Sequence, residues 1–299
     1  MNASLSRAST TACEIAYHVT GPDGGEPVLL VHGWPDDAQS WDGVSAALAA
    51  AGYRCYAPYL RGFGPTVLRD GATRTGEAAA LVTDLLDFAG ALGLGTFHWV
   101  GQDWGSRAGH GVAAIAPQRL RSLCTMATAY GTNVPGHEMQ FDQAHAYWYQ
   151  WFMATPRGAD ALERERRPFM RYLWETWSPG WRFTDAEFER TAASFDNPDF
   201  VAITLTSYRG RWGFIPGAPE YAGLRERLAA VPKLGVPTLA LYGAQDGVTM
   251  RSAASGQEAF FSGPYRAEVV QGVGHFMHRE SPQAIAERVL AHLRAYQTA

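Results

Sequence analysis

The sequence predicts an α/β protein: a doubly wound, mostly parallel sheet into which a helical segment is inserted before the penultimate strands. Three observations predict it. Short apolar runs alternate with stretches of helical spacing up to about residue 130 and again after Lys233. Between them, residues 131–232 lose that alternation, read as helical and hold six of the ten tryptophans: Trp148, Trp151, Trp174, Trp177, Trp181 and Trp212. Polar residues flanked by glycine follow the apolar runs directly, where open α/β sheets carry their sites.

Taken in order, residues 13–19 alternate loosely and read as an edge strand. Gly21 to Glu26 is a turn, and Pro27 to His32 is a continuous apolar run, as a strand buried on both faces requires. His32-Gly33-Trp34-Pro35 ends it, and an Ala- and Leu-rich helix is expected over Ser40–Ala51. Arg54 to Pro58 is a short strand, followed by the turn-rich loop Arg61 to Pro65. Ala80, Leu81, Leu85, Phe88 and Leu92 have helical spacing within Gly76–Leu92. A strand then leads to Gly101-Gln102-Asp103-Trp104-Gly105, and a helix follows to about Ile115. Leu120 to Ala127 is the next strand. After the insertion come a strand at Val236–Tyr242, a helix near Arg251–Phe261, a strand at Ala267–Val270 and a helix over Ser281–Ala295. The core is therefore expected in 1–130 and 233–299, with the insertion covering the open strand ends.

The 299 residues suffice for a large core, and 46% hydrophobic with 18% charged residues is ordinary for a globular protein. A net charge of −4 gives no reason to expect nucleic acid or an acidic membrane as partner. Lys233 is the only lysine, which makes Schiff-base chemistry implausible. Cys13, Cys55 and Cys124 are odd in number and widely spaced, so neither a disulfide framework nor a zinc site is expected; they fit a reducing cytoplasm. The N-terminal Met-Asn-Ala-Ser-Leu-Ser-Arg lacks an apolar run, so no signal peptide is read there. No metal or cofactor is expected. A small-molecule partner is expected, and a homodimer is left open.

Gly101 and Gly105 bracket Asp103 with the spacing of a sharp strand-to-helix turn that presents a reactive side chain. Taken singly, His32 and His275 read as strand-end histidines satisfied by backbone, and Asp246 as a turn residue. Together His32-Gly33-Trp34-Pro35, Gly101 to Gly105, Gly243-Ala244-Gln245-Asp246 and Gly274-His275-Phe276 resemble the α/β-hydrolase family over nearly the whole chain. An aspartate at the turn is similar to the branch of epoxide hydrolases and haloalkane and fluoroacetate dehalogenases. The resemblance implies Asp103 as nucleophile, His275 as base and Asp246 as its orienting partner. It also implies a cis Trp34–Pro35 bond. Some dehalogenases place the acid before the insertion, but residues 127–133 contain no carboxylate.

A carboxylate attacking an sp3 carbon gives an alkyl ester that water can hydrolyse. Asp103 must be ionised for the first step, and a histidine near its usual pKa suits the second. The backbone N–H groups of Trp34 and Trp104 are the expected oxyanion donors. An epoxide oxygen leaves as an alkoxide and needs acidic donors. Tyr147 to Phe152 and Thr206 to Trp212 resemble the two tyrosine segments of epoxide hydrolases, which implies Tyr149 and Tyr208 as those donors, or Tyr147 if the register shifts. His32, Pro35, Trp148, Gln150, Trp151 and Phe276 complete the expected pocket, and the aromatic insertion suggests an apolar or aromatic epoxide. Arg107 matches one arginine of the fluoroacetate dehalogenase clamp, and a dehalogenase or a non-catalytic binding protein are the competing readings.

Overall fold

The computed structural model describes residues 4–132 and 139–297. The leader reading of the first seven residues and the carboxylate-free stretch ending at Asn133 fall partly outside that range. The strands are β1 (Ser4–Ser9), β2 (Cys13–Thr20), β3 (Glu26–Val31), β4 (Tyr53–Pro58), β5 (Val67–Leu68), β6 (Phe97–Gln102), β7 (Leu120–Met126), β8 (Thr238–Gly243) and β9 (Tyr265–Val270). Their order is β1-β2-β4-β3-β6-β7-β8-β9, with β5 beside β2. Pairing is parallel from β4 to β9 and antiparallel among β1, β2, β4 and β5. Central β6 and β8 are buried along their whole length, and the polar His98 and Gln102 of β6 are buried with it.

Helices α1 (Asp42–Ala50), α2 (Ala78–Ala91) and α3 (Trp104–Ile115) connect the first half of the sheet. Among the described residues seven α-helices lie between β7 and β8: α4 (Phe141–Ala146), α5 (Trp148–Ala154), α6 (Pro156–Arg164), α7 (Arg166–Trp177), α8 (Asp185–Ala192), α9 (Phe200–Arg211) and α10 (Ala222–Ala229). Thr184 opens α8 with a reciprocal capping box to Glu187. α11 (Arg251–Ala254), α12 (Met277–Glu280) and α13 (Pro282–Ala295) complete the chain. Among the described residues no helix is long and apolar enough to cross a membrane.

Two expectations are corrected. Cys13–Thr20 is not an edge strand, because β1 pairs outside it. β1 was invisible in the sequence because Ser-Leu-Ser-Arg-Ala-Ser has too little apolar content to signal a strand. The single helix expected over Arg251–Phe261 is broken into α11 and a 3-10 turn at Gln257–Phe260, with Gly256 in the left-handed region at φ +70°.

The insertion packs onto the sheet rather than standing off it. Trp34, Phe63 and Trp104 of the sheet side share one apolar core with Tyr149, Met153, Trp174, Trp177, Phe200 and Ile203 of the insertion. Polar bonds cross the same boundary: the indole N–H of Trp34 donates to Thr204 Oγ1 at 3.0 Å, and that of Trp174 to the Pro35 carbonyl at 2.8 Å.

Candidate active site

The turn after β6 puts Asp103 in a backbone conformation rare for a side-chain-bearing residue, φ +46° and ψ −110°. Its neighbours permit it. A Cβ on Gly105 would lie 2.0 Å from the Val31 carbonyl oxygen, and one on Gly101 would lie 2.4 Å from that of Gly105. Ser106 Oγ fastens the turn to β7, accepting from the Met126 N–H at 2.9 Å and donating to the Gly101 carbonyl at 2.8 Å. Asp103 is only 5% exposed, so its carboxylate faces the interior between sheet and insertion.

Three loops at the strand ends converge on it. The Trp34 backbone N–H, after β3, donates to Asp103 Oδ1 at 3.1 Å. His275, after β9, is fully buried with Nε2 4.0 Å from Asp103 Oδ2. Its Nδ1 lies 3.1 Å from both oxygens of Asp246, which follows β8. The N–H groups of Val248 (2.7 Å) and Thr249 (3.0 Å) hold Asp246 Oδ1 in turn. Burial alone would lower the His275 pKa, but the Asp246 carboxylate, joined by the charges of Asp103 and Glu280, outweighs it and the net shift is upward. Among the described residues His275 Nε2 has no hydrogen-bond partner, so it is open to a molecule beside Asp103. The Trp34–Pro35 bond is cis.

Above this set lie the two tyrosines. The Tyr149 ring stacks on Trp34 (5.6 Å, 10°) and meets Tyr208 edge to face (5.4 Å, 86°). Tyr208 OH accepts from the Trp104 indole N–H at 3.2 Å, and Tyr149 OH accepts from Gln150 Nε2 at 2.8 Å. Burial raises both phenol pKa values, and the Asp103 charge adds to it. Tyr147 packs edge-on to Tyr149 at 6.5 Å and against Trp212 at 6.2 Å. It is therefore Tyr149 whose ring meets Trp34 and Tyr208.

Other expected pocket residues are spent on scaffold. His32 Nδ1 bonds the Gly33 carbonyl at 2.9 Å and its Nε2 accepts from the Leu60 N–H at 3.0 Å, so neither ring nitrogen is left for substrate. Burial lowers its pKa to about 4. Trp151 donates to the Ala144 carbonyl and packs on Trp212. Phe276 is buried against Trp174, Trp177 and Trp181. These two are packing residues, because an aromatic-rich insertion also needs a core of its own. Arg107 lies on α3, close enough to Arg211 for their charges to oppose each other.

One residue escaped the sequence reading. Trp177, at the end of α7, contacts Trp34 (5.8 Å), Tyr149 (4.8 Å) and His275 (5.1 Å). Its carbonyl accepts the His275 N–H, and its indole N–H has no acceptor among the described residues. It also lines a cavity of about 540 Å³ together with Trp148, Tyr172, Asp142, His145 and Met250. No motif marks it; it is one tryptophan among six.

Residues 26–282 match the family model described as the alpha/beta hydrolase fold. The chain is 26% identical to epoxide hydrolase A of Mycobacterium tuberculosis, covering 91% of this chain and 92% of that one. It is 33% identical to a Burkholderia fluoroacetate dehalogenase over 44% of this chain and 43% of the relative. A crystal structure from Klebsiella pneumoniae, of a protein provisionally described as an epoxide hydrolase, superposes with a TM-score of 0.92 at 37% identity, covering 97% of each chain. Family match, sheet order and strand-end site agree: the chain belongs to the α/β-hydrolase family, as a hydrolase similar to epoxide hydrolases over nearly its whole length.

Proposed function

We propose that the protein opens an epoxide to a vicinal diol through an ester on Asp103, with the insertion, residues 131–232, as a cap that carries the acid groups. The observation that carries this reading is the state of the tyrosine hydroxyls. A phenol has one proton to give. Tyr149 OH and Tyr208 OH each accept an N–H, from Gln150 and Trp104, and neither donates to another described residue. Both protons are free for a leaving oxygen.

The steps follow from the geometry. Asp103 Oδ1 is held by the Trp34 N–H, so Oδ2 attacks the epoxide carbon. The carbon–oxygen bond breaks, and the oxygen takes its electron pair and a tyrosine proton. The opening is displacement at carbon followed by acyl hydrolysis. His275, kept in one tautomer by Asp246, removes a proton from water, which attacks the Asp103 ester carbon. The oxyanion forms against the N–H groups of Trp34 and Trp104, the latter free of an intrahelical partner at the start of α3. Collapse releases the diol, and the proton held by His275 restores the tyrosine.

One observation favours a halide instead: the unpaired indole N–H of Trp177 beside Tyr149. Against it, the Trp104 indole N–H is already spent on Tyr208. The deciding experiment is a single turnover in heavy-oxygen water with aliphatic, aryl and polycyclic epoxides, and with haloacetates and haloalkanes in parallel. The epoxide reading expects a diol with unlabelled new oxygen and one heavy atom in the Asp103 peptide. An unlabelled peptide refutes the ester, and turnover of halides alone refutes the epoxide.

A further inference from the structure

The two tyrosines need more than their ring contacts to act as acids. Burial makes each a weaker proton donor, and the negative charge of Asp103 passes to the departing oxygen beside them as the ester forms. The group that opposes this is Arg211, at the C-terminal end of α9. Its guanidinium carbon lies 4.9 Å over the Tyr208 ring. Its Nη1 donates to Gln150 Oε1 at 3.3 Å, and the Trp212 indole N–H donates to the same oxygen at 2.8 Å. With two donors on Oε1, the amide NH2 of Gln150 has to face Tyr149, where it donates at 2.8 Å. Flipping the amide would set NH2 against both donors. Arg211 thus touches one tyrosine across its ring and reaches the other through a single amide, and none of the described carboxylates pairs with it.

We propose that Arg211 is a positioning residue for ring opening: through Gln150 it fixes the direction of the Tyr149 proton, and its charge stabilises the negative charge that builds on the tyrosine oxygens and the departing epoxide oxygen. No atom is added to the reaction, since the tyrosine proton still goes to the epoxide oxygen. The relay rests on the epoxide reading above. It acts on ester formation, the step in which a tyrosine proton goes to the departing oxygen, whereas attack of water on the ester uses His275 and the backbone N–H groups of Trp34 and Trp104. Arg211 also lowers the proton affinity of both phenols against the effect of burial.

The test separates the half-reactions by rapid quench, following the Asp103 ester by intact mass. Arg211→Met is expected to slow ester formation about 10- to 100-fold, a fraction of a full general-acid effect, while the ester hydrolyses at the wild-type rate. Arg211→Lys, which keeps the charge, is expected to recover most of that loss. Gln150→Glu keeps an acceptor for Arg211 and Trp212 but turns an acceptor toward Tyr149. It is expected to slow the same step, and it provides the reading if Arg211→Met does not fold. Ester formation at the wild-type rate in the folded variants, or an equal loss in both half-reactions, overturns the relay alone. Failure of Arg211→Lys to recover the step overturns the role of charge. If the wild type forms no ester on Asp103, the epoxide reading fails and the relay with it.

Discussion

A single proton on His275 divides the proposed cycle into two. With the imidazole removed, Asp103 can still attack but water cannot be activated. His275→Gln is therefore expected to trap the ester, visible as a protein mass increased by that of the epoxide, while diol release falls at least about 100-fold. Asp103→Asn should show neither ester nor diol. Asp246 moves the imidazole pKa above its ordinary value, and the base must be neutral, so ester hydrolysis is expected to rise with pH through that elevated value. The sign for stability is opposite. The protonated His275–Asp246 pair contributes fully below the unfolded pKa, and its contribution is lost as pH rises through the folded one. Asp246→Asn removes the largest raising influence, so the acid limb of the hydrolysis rate should move to lower pH. A limb that stays in place would mean that Asp246 does not orient this histidine.

The turn between β6 and α3 and the loop after β3 are held by opposite means. The first depends on missing atoms. Gly105→Ala puts a methyl 2.0 Å from a backbone oxygen, with no flexible side chain to give way, so the variant is expected to express without the near-ultraviolet dichroism of the native protein. The second depends on charge. Arg279 on α12 grips Asp36 through Nε at 3.0 and 3.1 Å and reaches Thr191 at 2.7 Å, joining the Trp34 loop to the His275 loop and to α8. Asp36 and the Arg279 side chain are almost wholly inaccessible. Arg279→Met leaves Asp36 buried without its main partner, an arrangement that costs roughly 3–5 kcal/mol. The urea midpoint should fall accordingly, and an unchanged midpoint would show that His278, 3.5 Å from Asp36, suffices. Neighbouring Asp37 is pushed up to about 6, chiefly by burial, and donation from Ser194 at 2.7 Å partly counters that rise.

At the scale of the molecule, the insertion and the sheet share their apolar core instead of meeting across a wet interface. Removing one would expose Trp34, Trp104 and Phe63 on one side and Tyr149, Trp174 and Trp177 on the other. Calorimetry of the whole chain is therefore expected to show one transition whose calorimetric and van't Hoff enthalpies agree, and two resolved transitions would contradict a shared core. The same closeness seals the site: Asp103 is 5% exposed and His275 is inaccessible. The proposed chemistry would thus take place among fixed dipoles and not in bulk water.

The chain by itself showed the alternation of strands and helices and its interruption over residues 131–232, because buried parallel strands must be apolar, while Asp103, Asp246 and His275 were singled out as candidates by the resemblance of their motifs and order to the α/β-hydrolase family. It did not disclose β1, whose one-sided exposure leaves a polar sequence. Strand-end position and a glycine neighbour are common to His32 and His275, so only the family resemblance set His275 apart as the base. Only the tertiary structure decided that one spends its nitrogens on backbone while the other keeps Nε2 open. The tertiary structure likewise decided that Gln150, expected in the pocket, bonds Tyr149 and Arg211, and that Trp177 meets Tyr149. Their positions rest on helices packed from distant parts of the insertion, and which side chains meet there is fixed by three-dimensional packing that no local pattern encodes.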